Sequence, residues 1–132
     1  MKYILMMSAT RADCDWYTKW SKEDLQANFT FMRALSKEFK DSGVFVATEG
    51  LAFPDQARMV RAGSDGAPIT DGVFPEAKEF LMGYWIVDVE SAEHAYSIAA
   101  KAASAPGPSH PSGKKFSIEV RQVMSGAPEE LL

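Results

Sequence analysis

Two runs in this chain carry almost no polar residue on either side of a pleat. Tyr3-Ile4-Leu5-Met6-Met7 is apolar at every position, and Leu81–Val89 is nearly so. Successive side chains of a strand point to opposite faces, so strands of this kind need cover on both. The first run is too short for a helix. A chain of 132 residues builds one compact domain, and one domain must therefore find two covers for the same sheet.

The remaining pattern says what one cover is. Ser21-Lys22-Glu23-Asp24 fits a capping box, with Ser21 accepting from the backbone three residues on and Asp24 reaching back. Leu25, Phe29, Met32, Leu35 and Phe39 follow at helical spacing, and Gly43 ends the helix. Val44–Glu49 is β-branched and aromatic, a second strand. Ala57–Ala62 and Pro68–Thr70 flank the turn cluster Gly63-Ser64-Asp65-Gly66 and form a hairpin. After the Leu81–Val89 strand, Ser91 caps a second helix whose buried stripe is Ala92, Ala95, Tyr96, Ala99, Ala102 and Ala103. Ala105–Gly113 holds three prolines and is a stiff loop. Lys115–Val123 alternates as the last strand, and Thr10–Trp20, with no clean period, reads as a loop.

The order β-α-β-hairpin-β-α-β is an α+β, ferredoxin-like βαββαβ arrangement with an inserted β-hairpin, spanning residues 1–124 as one domain with a tail at 125–132. Two helices cover one sheet face. The other face stays apolar, and a second copy closing over it as a symmetric homodimer is the simplest cover.

Charge excludes several partners. Residues 1–66 carry equal numbers of acidic and basic groups, so the net charge of -4 falls on the second half, and no basic stripe points to nucleic acid. No apolar run reaches membrane-spanning length, and the lone Cys14 has no partner within the chain, so a cytoplasmic, reduced protein is expected. The two histidines and one cysteine are scattered without ligand spacing, so neither a metal nor a cofactor is expected. Asp13 and Asp15 beside Cys14 raise a thiol pKa and argue against a cysteine nucleophile.

Several residues could carry chemistry. Glu49 ends the second strand on the side of Phe45 and Ala47, where an aromatic neighbour raises a carboxyl pKa. Asp71 precedes Gly72 in a turn, and the hairpin between it and Glu49 would bring these two acids together at a pocket mouth. His110 sits in the proline loop, where a rigid backbone can hold an imidazole over a cleft. Trp85 and Phe45 would wall such a pocket, and Arg121 or Lys78 would hold an anionic group. Glu119 and Arg121 share the face opposite Ile118 and Val120, which places them in the dimer interior.

The pieces Lys2-Tyr3-Ile4-Leu5-Met6, Glu49-Gly50-Leu51, Thr70-Asp71-Gly72-Val73-Phe74, Glu76-Ala77-Lys78-Glu79, Gly83-Tyr84-Trp85 and Glu119-Val120-Arg121 occur in the order seen in YCII-related proteins. The sequence resembles the subgroup named for an Asp-Gly-Pro-Phe (DGPF) motif, with Val73 in the place of the motif's proline. The resemblance implies a dimeric α+β barrel and a small-molecule enzyme working by acid–base chemistry, of isomerase, lyase or dehydrohalogenase type. It also implies a His–Asp pair, for which His110 and Asp71 are the candidates by chemistry. The alternative it implies is a non-catalytic small-molecule-binding or regulatory module, in a setting linked to sigma factors.

Overall fold

The computed structural model describes residues 1–72 and 79–126. Lys78, with the motif's Val73 and Phe74, lies outside the described residues, as does most of the expected tail. Strand β1 (Lys2–Ala9) leads through helix α1 (Arg11–Tyr17) and helix α2 (Lys22–Asp41) to β2 (Phe45–Gly50). A short 3-10 turn precedes the hairpin β3 (Arg58–Ala62) and β4 (Pro68–Gly72). Then come β5 (Phe80–Asp88), helix α3 (Ala92–Ala103) and β6 (Glu119–Gln122). The main sheet runs β2-β5-β1-β6, every neighbouring pair antiparallel, and the hairpin is a separate two-stranded sheet.

Helices α2 and α3 cover one face. Their core joins Tyr3 and Leu5 of β1 and Trp85 and Val87 of β5 to Leu35, Phe39, Ala95, Ile98, Ala99 and Ala102. The expected stripe of α3 needs one correction: Tyr96 is 55% exposed, and Ile98 takes its place. At 100° per residue, positions 95, 98, 99 and 102 share a face and position 96 falls beside it. The α2 C-terminus follows expectation. Gly43 adopts φ 80°, the Val44 N–H donates to Phe39 O and the Gly43 N–H to Lys40 O, which closes the helix as a Schellman motif.

Cross-strand partners place Ile4, Met6, Tyr84 and Ile86 on the opposite face, with Glu119 beside Met6 and Arg121 beside Ile4. The expected facing of Glu119 and Arg121 therefore holds. The facing of Glu49 does not. A bulge between Phe45 and Ala47 breaks the alternation, so Phe45 pairs with Val87 on the helix side while Ala47 and Glu49 pair with Ile86 and Tyr84 on the other.

The segment read as a loop at Thr10–Trp20 contains α1. Thr10 Oγ1 accepts from the Asp13 N–H at 3.0 Å and Asp13 Oδ2 accepts from the Thr10 N–H at 3.0 Å, a complete capping box. A helix of seven residues is too short to display a hydrophobic period, which is why the spacing hides it. At α2, Ser21 Oγ accepts from the Asp24 N–H as expected, at 3.1 Å. Among the described residues, no helix is long and apolar enough to cross a membrane.

Candidate functional site

Helix α1 leaves the end of β1 and carries Asp13 in its first turn, where the capping box fixes the side chain. The stiff loop after α3 returns to the same place. Asn28 Nδ2 on α2 donates to Pro106 O at 3.0 Å. The Trp20 ring lies against Gly107 so closely that a Cβ there would overlap it. The loop is thus anchored before it reaches His110. The ring of His110 meets the edge of Trp16 at 4.7 Å between centroids, and Trp16 stands in turn on Trp20 at 5.2 Å.

These anchors bring His110 Nε2 to 2.8 Å from Asp13 Oδ1. The two side chains are only 17% and 16% exposed. Asp13 Oδ2 also accepts from Lys114 Nζ at 2.8 Å. Burial alone would push the Asp13 carboxyl up; hydrogen bonds from Lys114, the Thr10 backbone and His110 outweigh it and hold the carboxyl well below the usual carboxylate range. Asp13 is therefore a fixed anion. On the other side of the imidazole, Nδ1 lies 3.1 Å from the Ser112 N–H and 2.7 Å from Ser112 Oγ. A backbone N–H can only donate, so Nδ1 holds the lone pair and Nε2 carries the hydrogen that faces Asp13.

His110 is thus paired with an aspartate, but with Asp13 and not Asp71. Asp71 lies in β4 opposite Met59, half-exposed, with its carboxylate 3.6 Å from Arg61 of the neighbouring strand. It occupies a strand instead of the expected turn, and in the hairpin turn Asp65 accepts from the Ala67 N–H. Among the described residues no hydrogen bond or ion pair joins Asp71 to Glu49, which is exposed at the end of β2 in the other sheet. The contact that the structure gives Asp71 is thus with Arg61 of its own hairpin.

Of the expected pocket walls, Trp85 is a core residue and Phe45 packs, partly buried, against the core. Trp85 is 2% exposed, stacks edge-on against Phe39 and donates from Nε1 to Ser36 Oγ at 3.1 Å. Phe45 packs on the same side, with the Lys40 ammonium 4.8 Å from its ring centre. Neither lines the open depression beside α1. Arg121 is exposed beside Glu119 at 3.7 Å, a contact of little energetic weight at that exposure. Cys14 is buried with its thiol pushed up by burial and by Asp13 and Asp15, as expected, which leaves it unreactive.

An open depression of about 540 Å³ lies on the other flank of α1, lined by residues including Leu51, Phe53, Gln56 and Phe80. Tyr17 of α1 meets Phe53 there, and the Arg11 guanidinium stands over Phe80. Neither Asp13 nor His110 lines it. Shape and chemistry thus fall on different sides of one short helix, and the chemistry is the better guide, because the depression is open and lined mostly by apolar side chains, with Gln56 and Glu79 as its polar members. Among the described residues, no three His, Cys, Asp or Glu side chains converge as a cation site needs.

The signal for Asp13 was present in the sequence as Thr10-Arg11-Ala12-Asp13, a capping box read instead as part of a loop. Comparison with known proteins adds a family but no chemistry. An uncharacterized protein of Rhizobium meliloti (strain 1021) is 27% identical over 112 residues, covering 85% of this chain and 86% of its own. The model of the YCII-related domain matches residues 1–124, and the chain belongs to that family.

Proposed function

We propose that the chain is a small-molecule enzyme whose acid–base centre is His110 held against Asp13. The observation that carries this reading is the 2.8 Å contact between His110 Nε2 and Asp13 Oδ1 in a largely buried setting. Imidazole is the side chain best suited to proton transfer near neutral pH. A fixed carboxylate on its far nitrogen holds the productive tautomer and stabilises the imidazolium formed when a proton is taken. The rings of Trp16 and Trp20 beside the pair favour a small, apolar or aromatic substrate. Proton abstraction of the isomerase, lyase or dehydrohalogenase kind is the reaction class that these groups support. The sequence Thr70-Asp71-Gly72-Val73-Phe74 supports reading the chain as a relative of the DGPF subgroup, with Val73 in the place of the motif's proline.

A panel of aromatic ketones, lactones and haloacids, incubated with the protein in deuterated water and followed by NMR, tests this. At least one class should show accelerated exchange or elimination, reduced by roughly a hundredfold or more in His110→Gln. No acceleration in any class, or acceleration that survives His110→Gln, favours a non-catalytic small-molecule-binding or regulatory module.

The homodimer belongs to the same reading. The sheet face opposite the helices carries Ile4, Met6, Tyr84 and Ile86, and a second copy laid against it gives a ferredoxin-like pair closed into a dimeric α+β barrel. Light scattering at micromolar concentration should give about twice 14.5 kDa. A clean monomer would remove the barrel from the account.

A further inference from the structure

Resting on that acid–base reading and carrying it further, we propose that Ser112 is a nucleophile activated by His110, so that Ser112, His110 and Asp13 form one hydrogen-bonded line suited to acyl transfer from small carboxylic esters. Both imidazole nitrogens are engaged. Nε2 meets Asp13 at 2.8 Å, and Nδ1 meets Ser112 Oγ at 2.7 Å and the Ser112 N–H at 3.1 Å. Ser112 Oγ therefore stands on Nδ1, the nitrogen that takes up a proton, and a substrate meets the hydroxyl before it meets the ring. The Ser112 hydroxyl, by contrast, points its proton at the Nδ1 lone pair and is exposed, whereas His110 and Asp13 are largely buried. Its oxygen thus belongs to the most exposed of the three residues and keeps electron pairs for attack. Among the described residues, the other hydrogen-bond approach to it is the Lys114 backbone N–H at 3.4 Å, too long to occupy it strongly.

The backbone maintains this arrangement. Gly113 takes φ 77°, a conformation that glycine adopts cheaply, and its N–H donates to His110 O at 2.9 Å. The turn returns Ser112 onto the ring two residues behind it. Nucleophile, base and orienting carboxylate within hydrogen-bond reach of one another are the geometric signature of an activated hydroxyl. Here the serine uses Nδ1 and the aspartate Nε2. The ring serves equally in that sense, because it accepts a proton at one nitrogen while the hydrogen on the other is held by the carboxylate.

In the proposed step, Ser112 Oγ attacks the ester carbonyl carbon and its proton passes to His110 Nδ1. The imidazolium returns that proton to the departing alcohol as the ester C–O bond breaks, leaving an acyl group on Ser112. Water then attacks that acyl group with His110 again as base, releasing the acid and restoring the hydroxyl.

Diisopropyl fluorophosphate tests the nucleophile without knowledge of the natural ester. Attack on phosphorus expels fluoride, transfers the hydroxyl proton to His110 and leaves a stable phosphoryl group on the serine. Peptide mass mapping of the intact protein should find the group on Ser112. Ser112→Ala should not carry it, and His110→Gln, at a temperature where circular dichroism shows it folded, should slow its appearance by roughly a hundredfold or more. Ser109 and Ser117, both exposed in the same stretch, serve as internal controls. Labelling of Ser112 no faster than of these two, or labelling that His110→Gln leaves unchanged, overturns the proposal. Turnover in the deuterium panel that His110→Gln abolishes and Ser112→Ala preserves also overturns it, while leaving the His110–Asp13 reading intact.

Discussion

Asp13→Ala removes three things at once, and the structure sets their sizes. The capping-box arm to the Thr10 N–H is worth about 1 kcal/mol. The charge-assisted bond from His110, largely buried, is worth about 1.5–3 kcal/mol. The Lys114 contact adds at most about 1 kcal/mol because that side chain is half-exposed. One carboxylate serves all three, so they do not add fully, and about 3 kcal/mol is the expected loss. For a domain of this size that lowers the melting temperature by about 10 °C. The pH dependence has a definite sign. The folded carboxyl is held below its ordinary value, so its stabilisation is fully present above the unfolded value, about 4, and fades as pH falls towards the depressed folded one. Thermal melts by circular dichroism of wild type and variant at neutral pH and near pH 3 should therefore converge on acidification. A variant that melts within 2 °C or so of wild type at neutral pH, or a gap that does not narrow in acid, would refute the view that Asp13 is a fixed anion anchoring α1 and the loop.

Trp85→Ala should cost about 3–5 kcal/mol by denaturant titration, because it empties the centre of the core and strips Ser36 of its donor. Gly107→Ala forces a Cβ into the Trp20 ring and should cost about 1–3 kcal/mol; by NMR it should also shift the His110 ring resonances, since the loop is displaced. Asp71→Asn should change stability by less than about 1 kcal/mol and leave any turnover intact, since its ion pair with Arg61 is long and exposed. A large loss of turnover there would restore Asp71 to the catalytic centre.

The legible parts of the fold were those with strong local patterns. The apolar runs fixed β1 and β5, and Leu35 and Phe39 fell into the core at the helical spacing that marks them. What stayed hidden was whatever depends on one residue out of step. The bulge between Phe45 and Ala47 reverses the facing of everything after it, and alternation alone carries no sign of such an insertion. The site was half legible for a related reason. His110 stood out as an imidazole in a rigid loop, but its partner lies 97 positions away along the chain, and nothing local selects Asp13 over Asp71. Only the packing of the proline loop on Trp20 and α2 makes that choice.

The most direct test of the central claim is the tautomer of His110, read from long-range proton–nitrogen correlations of the imidazole. The account predicts that the neutral ring carries its hydrogen on Nε2, facing Asp13, with Nδ1 bare towards Ser112, and that Asp13→Asn perturbs the Nε2 signal most. A neutral ring protonated at Nδ1, or an Nε2 signal indifferent to Asp13→Asn, would contradict the pairing on which the proposed chemistry stands.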